Sequence, residues 1–230
     1  MKQKKEIKNM WNNKIYTENY YTRTARNKYF SKLLYLNYPN IKNILNVGGG
    51  GKRDLFNCLY NKNIKVFELD FTGDNDLTLN LDKIDKMPFK DNEFECVCCF
   101  DVLEHLENFH KITNELIRVS SGKIFISLPV SSSLFLNIIR NKRRTSNQEG
   151  YYFKFYGLPL EIPEDRHRWF LTAKDIELFF LNLAKQNNLK INFFSHNKNS
   201  LKFKFFKFLF RERIAKELIL PFIWILLEKI

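Results

Sequence analysis

The chain has little of what marks a secreted, disulfide-stapled or membrane-spanning protein. Its 230 residues hold four cysteines, three of them (Cys96, Cys98 and Cys99) in one short apolar run. Successive side chains of a strand point to opposite faces, so these three thiols do not converge as metal ligands. With Cys58 in a separate helical pattern, they read as buried thiols in a reducing cytosol. No apolar leader opens the sequence, since Met1 to Asn9 is basic and polar, and a cytoplasmic location is expected. The apolar run Leu218 to Leu227 has ten residues and contains Pro221, against roughly 20 for a spanning helix. There is no internal repeat and no low-complexity linker. Acidic residues are outnumbered, 25 against 38 Lys and Arg, leaving a formal charge of +13. Such a balance suits nucleic acid, an anionic membrane or anionic substrates. Part of it follows from a Lys-, Asn-, Ile- and Phe-rich composition of the kind an AT-rich genome imposes. Glycine is scarce too: there are eight, and four of them are consecutive.

Those four, Gly48 to Gly51, interrupt a β-rich apolar run (Ile41 to Val47) and precede an apolar helical pattern (Asp54, Leu55, Leu59). The spacing predicts strand, tight turn and helix. Glycine serves where the backbone takes positive φ or where a ligand presses on the main chain. The following helix start offers free N–H groups and a partial positive potential. A second strand, Ile64 to Phe71, carries Asp70 about 20 residues past the glycines, where a nucleotide-binding fold places the carboxylate for ribose hydroxyls.

Further motifs follow in order: Leu81-Asp82, then Met87-Pro88-Phe89 with Asp91 and Phe94 to Val97, then Val102-Leu103-Glu104-His105. With Asn46-Val47-Gly48-Gly49-Gly50 and Asp70 ahead of them, these residues resemble the class I S-adenosylmethionine-dependent methyltransferases of the compact type 11 kind, over residues 41–130. The resemblance implies S-adenosyl-L-methionine as cofactor. Gly48 and Gly50, with Gly49 between them, would let its methionine part lie against the backbone. Asp70 would take the ribose hydroxyls, Asp82 would accept from the adenine amino group, and Cys99 and Phe100 would line the site. Two departures stand out. Asn46 occupies a position where the family carries Asp, which bears on cofactor affinity. Only 12 residues lead from Asp70 to Asp82, too few for a full helix between strands 2 and 3.

The expected fold is α/β: a doubly wound, Rossmann-like, mostly parallel sheet with helices on both faces. Residues 1–40, basic and aromatic, form an N-terminal helical cap. Residues 41–200 form the cofactor-binding domain, with strands near 41–48, 64–70, 77–80, 95–101, 123–129 and 190–195. Phe109, Ile112, Leu116 and Val119 share one helical face, and Thr172 with Asp175 is a capping-box-like start for a helix to about residue 187. Residues 201–230 form a basic, aromatic helical extension.

Residues 131–171 are an acceptor-side insertion of a length that is usually functional or disordered. Its aromatic content argues for function. It holds a basic cluster (Arg140, Lys142, Arg143, Arg144), an aromatic cluster that includes Tyr156, and the run Arg166-His167-Arg168-Trp169. That run resembles methyltransferases associated with cell-surface glycan or small-metabolite modification.

The chemistry implied is in-line displacement. The sulfonium already makes the methyl electrophilic, so the reaction calls for no metal. The protein must align the reactants and, for a hydroxyl acceptor, remove a proton. His167 and His105 are the two candidates for that base; each could instead organise its loop. Arg166 and Arg168 could clamp an acceptor phosphate or carboxylate, with Trp169 and Tyr156 beside them, or could pair with Glu164 and Asp165. The leading function is O-methylation of a small molecule, a sugar or phosphorylated precursor of a surface glycan. An RNA methyltransferase is the alternative, although there is no Asn-Pro-Pro-Tyr-type site, no catalytic-cysteine motif and no RNA-binding module. A membrane-associated lipid or quinone methyltransferase is another, through Leu201 to Arg213 and the apolar run after it. For that terminus a helical cap or a homodimer contact competes with contact to the inner face of the membrane.

Overall fold

The computed structural model describes residues 23–59, 63–133, 167–195 and 200–230. Seven strands form one sheet in the order β3-β2-β1-β4-β5-β7-β6. In chain order the elements are α1 (Arg23–Asn37), β1 (Asn43–Val47), α2 (Asp54–Leu59), β2 (Lys65–Asp70), β3 (Leu77–Thr78), β4 (Phe94–Phe100), α3 (Phe109–Val119), β5 (Ser120–Pro129), α4 (Ala173–Gln186), β6 (Leu189–Phe194), α5 (Leu201–Ile219) and β7 (Phe222–Lys229). Strands β1 to β5 pair in parallel, while β7 runs antiparallel to both β5 and β6. This is the doubly wound α/β sheet expected. β4 and β5 lack the alternation of a half-exposed strand because both their faces are covered. One core packs α3 and α4 against Val97, Cys99, Ile124 and Ile126. The other packs α1 and α2 against Ile44, Cys98, Phe100 and Phe125.

Local signals place the helices well. Phe109, Ile112, Leu116 and Val119 are all buried along α3. The Thr172 hydroxyl accepts from the Asp175 N–H, and the Asp175 carboxylate returns the bond to the Thr172 N–H, a complete capping box for α4. Between β2 and β3 there is no helix. The loop folds back on the glycine turn instead: the Asp74 N–H donates to Gly51 O at 3.0 Å, and Arg53 grips Asp76 at 2.9 Å.

The C-terminal apolar run differs from its expectation as a cap, a dimer contact or a membrane segment. The helix ends at Ile219, and residues 222–229 form a strand inserted between β5 and β6, with Ile223 to Leu227 buried. Pro221 falls in the turn before the strand, where its missing N–H costs no ladder bond. No described helix is long and apolar enough to cross a membrane. The first 22 residues of the expected N-terminal cap and residues 134–166 of the insertion, including Tyr156 and Arg166, lie outside the described residues.

Candidate functional site

The strand order reverses between β1 and β4, and in open α/β sheets ligands bind at the carboxyl edge beside such a reversal. The glycine turn leaves β1 at this edge. Gly48 has φ +78°, and a Cβ there would come within 2.0 Å of Val102 Cγ2, so the turn presses directly on the segment after β4. The Gly50 N–H donates to Asp70 Oδ2 at 2.5 Å. The other oxygen of Asp70 accepts from the Phe71 N–H at 2.6 Å and the Thr72 N–H at 3.3 Å. Asp70 is thereby fixed at the end of β2 with its carboxylate against the glycine turn. α1 reaches the same edge: Arg23 donates to Gly50 O at 3.3 Å, and Arg26 pairs with Asp101 just past β4. The Ser127 hydroxyl holds the second Asp101 oxygen at 2.6 Å.

Asn46 sits beneath this turn, buried. Its amide donates to Glu68 Oε1 at 3.3 Å, and its oxygen accepts from the Cys98 thiol at 3.3 Å. Glu68 is wholly buried, and that burial pushes its carboxyl above the usual carboxylate range. Its Oε1 also takes the Phe56 N–H in the first turn of α2. A carboxylate at position 46 would face a second carboxyl in a dry site; the neutral amide avoids that and supplies a donor. We therefore expect Asn46→Asp to destabilise the fold by about 1–3 kcal/mol near neutral pH. The sign is set by linkage. The unfolded chain ionises both carboxyls near pH 4, whereas the native pair resists it, so the loss grows as pH rises above that point. Urea melts at pH 5 and pH 8 measure it. An equal loss at both would show that charge is not the cause.

The remaining cofactor candidates are placed differently from one another. The Asp82 carboxylate accepts from the Asn108 N–H at 3.1 Å, tying its short helical turn (Leu81–Lys83) to the start of α3. Cys99 is fully buried, and burial pushes its thiol up, helped by the nearby charges of Glu104 and Asp101. Phe100 belongs to the opposite core, with ring centroids 5.0 Å from Phe30 and 4.7 Å from Trp224.

His105 and His167, far apart in sequence, come together with ring centroids 4.6 Å apart and ring planes at 89°. Glu104, buried in the turn Leu103–His105, lies beside them, with His105 Nε2 3.9 Å from its Oε1. Backbone bonds hold the two segments in place. The Arg168 N–H donates to Glu104 O at 2.8 Å, the Arg168 guanidinium to His105 O at 2.8 Å, and the Trp169 indole N–H to Leu106 O at 2.7 Å. Arg168 also pairs with Glu107. Among the described residues its guanidinium thus binds the turn after β4 and Glu107, while Glu164 and Asp165 lie outside the described residues.

Sequence reasoning missed Arg23, Arg26, Asp101, Glu68 and Glu104 as participants. Only Glu104 carried a signal, its place beside His105 in the Val-Leu-Glu-His run. The others act through contacts with no fixed spacing.

Residues 56–126 match a family of methyltransferase domains. An uncharacterized protein of Methanocaldococcus jannaschii is 32% identical over 97 residues, which is 41% of this chain and 38% of that protein, so the match spans well under half the length of either. Among solved structures, an S-adenosylmethionine-dependent methyltransferase from Archaeoglobus fulgidus superposes with a TM-score of 0.57 at 14% identity, covering 90% of this chain and 95% of that one. The methyltransferase domain of bacterial CtHen1 gives 0.56 at 12%, covering 90% and 100%. The plantazolicin methyltransferase BpumL, solved with S-adenosylhomocysteine, gives 0.60 at 13%, covering 99% and 91%. The fold is that of the class I S-adenosylmethionine-dependent methyltransferases.

Proposed function

We propose, with that fold and the family match as premise, that the chain binds S-adenosyl-L-methionine at the carboxyl edge of β1, β2 and β4. It transfers the methyl group to a hydroxyl of a small acceptor, a sugar or phosphorylated precursor of a surface glycan. The observation that carries the cofactor half is the Asp70 carboxylate held against Gly50 at the reversal of strand order. The Glu104–His105–His167 cluster carries the acceptor half. It lies beside the glycine turn, because Val102, against which Gly48 packs, opens the turn containing Glu104 and His105. A group able to take or stabilise a hydroxyl proton is what oxygen methylation needs beyond alignment. Transfer of a labelled methyl from the cofactor to a panel of sugars, sugar phosphates and short RNAs tests this. Labelled sugars are expected; labelled RNA alone would move the acceptor to nucleic acid, the reading the +13 charge also suits.

A second feature favours a peripheral membrane position. α5 leaves Leu201 and Phe208 over 80% exposed, with Phe205, Leu209 and Phe210 about half exposed, among Lys202, Lys204, Lys207 and Arg213. Exposed aromatics between cations suit an anionic bilayer surface. The full chain is expected to float with phosphatidylserine-containing vesicles, and Phe205→Ser with Phe208→Ser to remain at the bottom of the gradient. Equal flotation of both proteins would refute this contact.

A further inference from the structure

We infer that Glu104, His105 and His167 form a binding site for a first-row divalent transition metal ion. The inference rests on the acceptor side of the proposed function and deepens it. One donor atom from each of the three residues lies within 4.8 Å of the others. An ion held at about 2.0–2.2 Å from two imidazoles and a carboxylate needs those donors roughly an ångström closer, which side-chain rotation supplies. The donor set is two nitrogens and one oxygen. That selects zinc, manganese, iron or cobalt over calcium or magnesium, which favour all-oxygen shells.

Two further observations favour a site over an accidental cluster. The bonds that bring the segments together, from Arg168 to Glu104 O and His105 O and from Trp169 to Leu106 O, use main-chain acceptors. They hold the two backbone segments that carry the three side chains side by side, and none of these bonds occupies a carboxylate or imidazole atom. Glu104 is also completely buried, while His105 retains 21% side-chain exposure. The carboxylate end is therefore dry and the imidazole end opens to solvent, leaving coordination positions for water or an acceptor oxygen.

The consequence for the reaction is specific. A coordinated acceptor hydroxyl would release its proton to water as the metal lowers its pKa. The oxygen lone pair would then form the O–C bond while the C–S pair returns to sulfur, leaving neutral S-adenosylhomocysteine. Under this inference His105 and His167 are ligands, and the proton needs no histidine base.

The test uses the full chain, stripped with chelator and titrated with cobalt(II). One equivalent is expected to bind, with visible d–d bands and two hyperfine-shifted, exchangeable imidazole N–H resonances in the proton spectrum. His167→Ala and Glu104→Gln are each expected to weaken binding at least tenfold, with thermal melts reporting whether each variant is folded. If both unfold, the wild-type resonance count still decides. Absence of stoichiometric binding, absence of histidine resonances, or unchanged affinity in folded variants would overturn the site. Calorimetric binding of S-adenosylhomocysteine in the presence of chelator keeps the two readings apart. If it persists while cobalt fails to bind, the metal site falls and the cofactor site stands.

Discussion

A chain ending at Ser200 is expected to lose cooperative unfolding altogether, and Trp224→Ala alone to cost about 3–5 kcal/mol. The reason is the position of β7. It lies between β5 and β6, paired with the first from Lys123↔Glu228 to Pro129↔Phe222 and with the second from Leu189↔Lys229 to Phe194↔Trp224. Its removal detaches β6 and leaves β5 as a bare edge, and it uncovers the face of α4 that packs on β7 and α5. Trp224 is 2% exposed and packs edge-on against Tyr29 at 5.5 Å and beside Phe100 and Phe194. It thus ties the C-terminus to α1, an element from the other end of the chain. A loss of that size is a large part of the roughly 5–15 kcal/mol that holds a domain together. Urea titration followed by circular dichroism measures both. A truncated chain that melts like the full one would show β7 to be an appendage. The same geometry dictates how membrane contact must be tested, by substituting exposed side chains of α5 and not by cutting the chain.

What was legible in the sequence, and what was not, divides along sequence distance. The stripe on α3 and the capping box of α4 are set by residues within a turn or two of one another, and both form as the spacing predicts. The short connection from Asp70 to Asp82 left no room for a full helix there, and none forms between β2 and β3. β7 was missed because an apolar run of this length reads equally as a buried strand or a buried helix. Its partner β5 lies about 100 residues earlier, as Lys123↔Glu228 shows, and no local pattern announces such pairing. Asn46 had the same problem. Considered alone it is a lost carboxylate; beside Glu68, 22 residues away, it is the neutral partner a buried acid requires. His105 and His167 were each visible as candidates, yet only the fold brings their rings together with Glu104.

Asp70→Ala is expected to weaken binding of S-adenosylhomocysteine by about 100-fold, without a comparable loss of stability. A carboxylate accepting two ribose hydroxyls contributes charge-assisted hydrogen bonds worth roughly 1.5–3 kcal/mol apiece. Two such bonds come to roughly 3–6 kcal/mol net of water, and the lower end of that range is about two powers of ten in affinity. The variant also releases the Gly50 N–H, and with it one restraint on the turn that the methionine part would touch. Both effects act on the ligand. Asp70 is only partly buried and closes the end of a strand, so its removal leaves no cavity in either core. The control is Asp85→Ala. Asp85 is exposed and pairs with Lys111 at 2.8 Å, a surface ion pair of little consequence for stability and far from the glycine turn in sequence. Isothermal titration of wild type, Asp70→Ala and Asp85→Ala gives the answer. Micromolar binding, retained in the control and lost in Asp70→Ala, supports the cofactor site where the Gly50–Asp70 contact puts it. Equal binding in all three would place the ribose elsewhere on the sheet edge. Absence of binding in the wild type would remove the basis for methyl transfer and leave a methyltransferase fold without its cofactor.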